Sequence, residues 1–272
     1  MLTKVLTGII GGFIMAVIIA SDKMVVNICI AAASLIALSE MYTAVGLTKN
    51  ISLTILGFLT SVAFTFDWLV ESQYLSVVLF GYVFLLFIYY MVLNKTLKFN
   101  EISKMFFITI FVCYFFANVG FVRKLPLGQY YIWYVFIGAW VTDAAAYFSG
   151  TLFGKHKLWK ELSPKKTIEG AVGGIAIMTL VFFGMAYIMQ IKYGFNMNYY
   201  LVAAFGIVCG LFAEFGDLAA SAIKREHNIK DFGALLPEHG GLMDRCDSLL
   251  FVAPAAYWFL VYLGPMMFGG GI

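Results

Sequence analysis

Charge is scarce in this chain: Lys, Arg, Asp and Glu make up 12% of its 272 residues, against 62% hydrophobic residues. Soluble domains carry about a quarter charged residues, so that class is excluded. The mean hydropathy of +0.90 points instead to a chain that crosses a membrane several times. The formal net charge of +3 is small and scattered, which excludes the basic stripe of a nucleic-acid binder. Histidine is rarer still, with three residues, and the four cysteines (Cys29, Cys113, Cys209 and Cys246) form no C-x-x-C pair. Neither a zinc site nor a disulfide framework is expected. No removable signal peptide is expected either: the first apolar run, near residues 5–20, lacks a small-residue cleavage site and reads as a first span.

Long apolar runs, in contrast, fill the chain. A hydrocarbon core of about 30 Å needs about 20 apolar helical residues. Runs at roughly 5–21, 24–45, 51–70, 74–94, 104–121, 131–153, 171–191, 199–221 and 249–268 approach that length. The expected fold is all-α: a polytopic integral membrane protein of about nine transmembrane helices. With the N-terminus in the cytoplasm, only Lys23, Arg123, Lys124 and Lys192 among the 18 Lys and Arg fall in outside loops, the bias of the positive-inside rule. Both large polar loops, 154–170 and 222–248, then face the cytoplasm. The expected organisation is an N-terminal scaffold of transmembrane helices, 1–125, and a C-terminal catalytic half, 126–272. A compact chain without long soluble tails fits a bacterial inner (plasma) membrane.

The little charge there is concentrates in Ser221–Asp247, S-A-I-K-R-E-H-N-I-K-D-F-G-A-L-L-P-E-H-G-G-L-M-D-R-C-D. Four acids also lie within or at the edge of spans: Glu40, Asp143, Glu214 and Asp217. At a helix centre each costs roughly 2.5–3.5 kcal/mol on insertion scales. Such acids line wet cavities, bind cations or pair with bases. Glu214 and Asp217 share a helix face, and Ser221 and Arg225 continue it. Asp244 and Asp247 repeat the spacing at the start of the last span. Hard oxygen donors with few histidines suit Mg²⁺. Asp217 and Asp244, with Asp247 and Asp143, would make such a site, with room for two cations. Two plainer readings stand beside it: a helix dipole that favours Asp244 and Asp247, and a buried ion pair between Asp217 and a lysine or arginine.

The other polar loop, Gly154–Gly174, contains Ser163-Pro164-Lys165-Lys166-Thr167. Ser at N-cap and Pro at N1 are a helix start. Lys165, Lys166 and Thr167 would then occupy the first turn of the seventh span, where free N–H groups and lysines suit phosphate. A positive-inside anchor would explain the lysines alone. Gly240-Gly241 would let backbone approach a phosphate. His239 is read as contacting a phosphate or orienting a carboxylate, not as a general base. Glu40 reads equally as a packing residue or a cavity-lining one. Gly170, Gly173 and Gly174 form a small-residue face that packs helices within one chain or in a homodimer.

Ser221–Asp247 resembles the signature of phosphatidate cytidylyltransferases, also called CDP-diacylglycerol synthases. Ser221, Lys224-Arg225, Lys230-Asp231, Gly233, Pro237, His239-Gly240-Gly241, Asp244-Arg245 and Asp247 fall at the family's spacing. Cys246 departs from it, standing where the family has an aliphatic residue or Thr. Trp140–His156 and Ser163–Gly170 also look like the family, in the same order. The resemblance covers roughly the C-terminal half; the N-terminal half agrees as a set of apolar spans plus Glu40. It implies transfer of CMP from CTP to phosphatidic acid, giving CDP-diacylglycerol and pyrophosphate in phospholipid biosynthesis, with Mg²⁺ and a second cation such as K⁺. Asp217, Asp244, Lys224 and Arg225 are then the expected catalytic residues. Ser163, Lys165, Lys166, Thr167, Ser221, Lys230, Asp231, His239, Gly240, Gly241 and Arg245 are the expected substrate contacts. Membrane lipids are the surrounding partners and nucleic acid is none. A CTP-dependent lipid-alcohol kinase, which would release CDP, a cytidylyltransferase acting on an ether-lipid phosphate, and an ion transporter through Asp143, Glu214 and Asp217 are the competing readings.

Overall fold

The computed structural model describes residues 2–65, 74–93, 97–235 and 240–269. Among the described residues the chain is helical apart from one short hairpin. The elements are α1 (Leu2–Ala20), α2 (Lys23–Ala44), α3 (Ile51–Thr65), α4 (Tyr74–Leu93), α5 (Phe99–Lys124), α6 (Gly128–Phe153), β1 (Lys157–Trp159), β2 (Ser163–Thr167), α7 (Ile168–Tyr193), α8 (Tyr199–Glu226) and α9 (Met243–Met267). Local chemistry explains several boundaries. Asp22 separates α1 from α2 by accepting the Met24 N–H, an N-cap contact. Asn198 opens α8 in the same way, accepting from Tyr200 and Leu201. Gly194, at φ +71, closes α7 in the left-handed conformation that glycine adopts freely.

Six helices among the described residues are long and apolar enough to cross a membrane: α2, α4, α5, α7, α8 and α9. α3 has 15 residues and α1 contributes the shorter apolar stretch Ile10–Ala20. α6 has 26 residues, but its Tyr, Trp, Gly and Thr dilute its apolar character. Two prolines, Pro254 and Pro265, lie inside α9; membrane helices tolerate them where neighbours satisfy the freed carbonyls.

The chain forms two compact units: Met1–Lys124 with Ile229–Arg245, and Leu125–Asn228 with Cys246–Ile272. The signature segment from Ile229 to Arg245 therefore belongs with the N-terminal helices. In the first unit α5 packs on α2 and α3. Tyr42 bonds Thr109 there, and the Tyr82 hydroxyl reaches the same Thr109 at 2.7 Å. This buried network satisfies its own polar groups, as a low-dielectric interior requires. In the second unit α7 packs on α6 and α8, around the aromatic cluster of Tyr134, Phe182, Phe205 and Phe259. The face of Gly170, Gly173 and Gly174 lies against Ala146, Ser149 and Thr142 of α6. That small-residue face packs helices within one chain.

The expected helix start at Ser163-Pro164 is corrected. Ser163–Thr167 is β2, antiparallel to β1, with Lys157 opposite Thr167 and Trp159 opposite Ser163. Thr167 is the N-cap, its hydroxyl accepting the Gly170 N–H at 3.1 Å. Proline suits the edge of so short a hairpin as well as a first helical turn. Lys165 and Lys166 are thus strand residues, and Lys224 and Arg225 are helical, because α8 continues past its apolar run to Glu226.

Candidate active site

In the second unit, charged side chains from β2, α6, α8 and α9 come together. β2 carries Lys166 inward and leaves Lys165 exposed. The Lys166 ammonium lies 2.7 Å from Glu214 Oε2 and 2.8 Å from Asp217 Oδ2. Burial works against the Lys166 charge, but the Asp217 and Glu214 carboxylates outweigh it and hold the ammonium above the usual lysine range. Asp217 is thus in the ion pair that was the plainer reading of it. Glu214, buried and absent from the expected site set, shares the same lysine.

The α8 column expected to run from Glu214 through Asp217 and Ser221 to Arg225 ends differently. Ser221 is buried, but Arg225 is exposed, its Nε donating to the Leu162 carbonyl at 3.4 Å. Lys224 is the buried cation of that last turn, with its ammonium 3.9 Å from Asp247 Oδ2. α8 and α9 come close at Gly216, which lies against the Asp247 carbonyl and the Ser248 backbone. Ser248 donates to Asp143 on α6. Asp143 also lies within electrostatic reach of Asp247, Asp217 and Lys166. One unit therefore gathers Asp143, Asp217 and Asp247 with Lys166 and Lys224. Nothing in the sequence marks Ser248 beyond its adjacency to Asp247.

The first unit holds the rest. Asp244 Oδ2 accepts from Phe232 N at 2.8 Å and from Gly241 N at 3.1 Å, tying two distant points of the signature loop together. Gly240, beside the second of them, takes the left-handed conformation at φ +77. The Gly241 amide expected to face a phosphate is thus committed to Asp244. Glu40 accepts from Leu242 N at 3.0 Å and Met243 N at 2.8 Å; its role is to bind backbone. Lys230, Asp231 and Arg245 are exposed. His239 and Pro237 lie outside the described residues.

Carboxylate oxygens are hard donors of the kind that Mg²⁺ takes. Among the described residues no three His, Cys, Asp or Glu side chains form a ready metal cage. Mg²⁺ needs no such cage, since it takes one or two protein carboxylates and fills its shell with water and substrate phosphates.

Helices long and apolar enough to cross a membrane, with acids paired to lysines inside one unit, define a polytopic membrane protein. The chain belongs to the cytidylyltransferase family, whose profile matches residues 2–263. It is 33% identical over 268 residues to the phosphatidate cytidylyltransferase of Bacillus subtilis (strain 168), covering 94% of this chain and 96% of that protein. It is 37% identical over 191 residues to that of Staphylococcus haemolyticus (strain JCSC1435), covering 69% of each. Over 127 residues it is 44% identical to that of Staphylococcus aureus (strain COL), covering 47% of each.

Proposed function

We infer that the protein transfers a cytidylyl group from CTP to phosphatidate. The observation that carries this reading is the Lys166–Glu214–Asp217 triad with Lys224 beside Asp247, in a chain whose full-length relative carries that activity in its name. A phosphate monoester has its second pKa near about 6, so the lipid phosphate is already an anionic nucleophile. One of its oxygens forms a bond to the α-phosphorus of CTP. The bond from that phosphorus to the bridging oxygen breaks, and pyrophosphate leaves with the electron pair. No general base is needed. The protein must hold two polyanions together and stabilise charge on the transferring phosphoryl group.

Lys224, buried, and Lys166, half-buried, supply charge among acids; Arg225 and Lys165 offer charge at the surface. Ser163, Thr167 and Ser221 support the phosphate contacts from the hairpin and α8. Lys230, Asp231, His239, Gly240, Gly241 and Arg245 belong to the substrate-binding loop. Asp217, Asp143 and Asp247 are the proposed Mg²⁺ carboxylates, and Asp244, one turn before Asp247 on α9, completes the assignment. Bound there, the metal supplies positive charge at the reacting phosphates, with a second cation such as K⁺ as an accessory.

The proposed setting is a bacterial inner membrane crossed by about nine helices, with the N-terminus and the active site cytoplasmic. CTP arrives from the cytoplasm, and phosphatidate keeps its acyl chains among membrane lipids. Residues 1–125 serve as scaffold and 126–272 as the catalytic half, except that the segment 229–245 of that half packs with the N-terminal helices. A homodimer would use a face other than the glycines of α7, which pack on α6. The test is pyrophosphate release by detergent-purified protein with CTP, Mg²⁺ and short-chain phosphatidate, with and without EDTA. Release that needs both substrates, with CDP-diacylglycerol as the lipid product, is expected. Release of CDP instead would replace the reading with a lipid kinase.

A further inference from the structure

Glu40 stands on α2, far from the signature loop in sequence, yet it binds that loop by its backbone. One oxygen accepts from Leu242 N at 3.0 Å and the other from Met243 N at 2.8 Å. These are N–H groups at the start of α9, which have no partner within their own helix. The carboxylate is buried, and its charge is met by those amides and by the positive end of the helix dipole. Two glycines make room for it: a side chain at Gly233 would collide with Glu40 Oε1, and one at Gly241 with Glu40 Oε2. Asp244 then closes the loop from within, accepting from Phe232 and Gly241. Two carboxylates thus hold one loop. Asp244 ties its two sides together, and Glu40 fixes the result to α2.

We propose that Glu40 is a positioning residue for cytidylyl transfer, setting the place of the Gly240–Asp244 turn through the amides of Leu242 and Met243. The proposal rests on the activity inferred above. It makes Gly233 and Gly241 the space that admits a carboxylate from another helix. Glu40 itself touches neither substrate.

The test joins hydrogen exchange to kinetics, on the full chain in detergent. Glu40→Ala should speed amide exchange in peptides covering 240–247 by about tenfold, with peptides of α5 unchanged. Turnover per folded enzyme, the folded fraction read from those α5 peptides, should fall about 10- to 100-fold. Glu40→Gln keeps the shape and one good acceptor oxygen, so it should lie between wild type and Glu40→Ala in both measurements. If Glu40→Ala does not fold, Glu40→Gln decides alone by the same two readings. Gly233→Ala should damage the wild type but add little to Glu40→Ala, because the collision is then gone. Unchanged exchange at 240–247 overturns the grip, and faster exchange with unchanged turnover overturns the positioning role. A wild-type protein that transfers no cytidylyl group would refute the activity and with it the positioning role, while the exchange measurement still reports whether Glu40 holds the turn.

Discussion

Ser248 directs its hydroxyl at both carboxylate oxygens of Asp143, 3.0 Å from Oδ1 and 2.9 Å from Oδ2. The two residues sit on α9 and α6. The contact fixes the direction of an acid that would otherwise turn about its own side-chain bonds. Hydrogen bonds to charged groups contribute about 1.5–3 kcal/mol. If Asp143 serves the reaction, Ser248→Ala should therefore slow turnover by about 10- to 100-fold. Ser248→Thr keeps the hydroxyl and should retain most activity. Steady-state kinetics on the two variants checks this; equal activity in Ser248→Ala and wild type would remove Asp143 from the site.

Lys166 balances two carboxylates, so its loss should be felt in stability and in catalysis. Lys166→Met leaves Glu214 buried with its cation gone. Breaking a buried pair from one side costs about 3–5 kcal/mol. A lowered melting temperature and lost turnover are expected together. Adding Glu214→Gln removes the stranded charge and should restore much of the melting temperature. It should not restore turnover, because the cation is still missing. Thermal unfolding and pyrophosphate release on the single and double variants separate the two roles. Recovery of both would make Lys166 a structural counter-ion only.

Thr167 should behave as a cap first. Its hydroxyl accepts the Gly170 N–H at the start of α7, and loss of an N-cap costs about 1 kcal/mol, up to about 2. Thr167→Val should lower the melting temperature modestly, while Thr167→Ser should keep it. A Thr167→Val protein with unchanged stability would contradict the cap.

The sequence showed its acids more clearly than their partners. Glu214, Asp217 and Asp143 stand out because carboxylates are expensive in apolar helices. Their pairing with Lys166, expected only as a phosphate contact, and with Ser248 does not, because the contacts join α8 to β2 and α6 to α9, and only folding brings those pairs together. The choice of Lys224 over Arg225 as the inward cation is a matter of phase. Adjacent helical residues point about 100° apart, so a column traced by steps of four drifts off the face that is buried. Ser163 begins a strand and not the expected helix because serine followed by proline suits a strand edge as well as a helix cap, and pairing with Lys157–Trp159 decides between them. Glu40 was visible as an intramembrane acid, but its ligands are backbone amides, which carry no side-chain signature at all. The helices themselves were legible, since long apolar runs leave few alternatives; their ends were less so, as α8 runs on past its apolar run to Glu226.

Asp217 offers the most direct test of metal assistance. Its Oδ2 lies 2.8 Å from Lys166, a contact that holds the side chain in place. Asp217→Asn keeps the size of the side chain and most of its hydrogen bonding but removes the charge that a hard cation needs. Wild-type pyrophosphate release should stop in EDTA and return when Mg²⁺ is added in excess. For Asp217→Asn, release should fall by at least about 100-fold, and any residual activity should need more Mg²⁺ than wild type. The Lys166–Glu214 contact survives the substitution, so the melting temperature should change less than in Lys166→Met. A Mg²⁺ titration of both proteins, with melting curves alongside, checks each part. Wild-type release that persists in EDTA would sink the metal assignment and leave Lys166, Lys224 and Arg225 to carry the charge alone. An unchanged Mg²⁺ requirement in an active Asp217→Asn would keep the metal but move it to the other carboxylates.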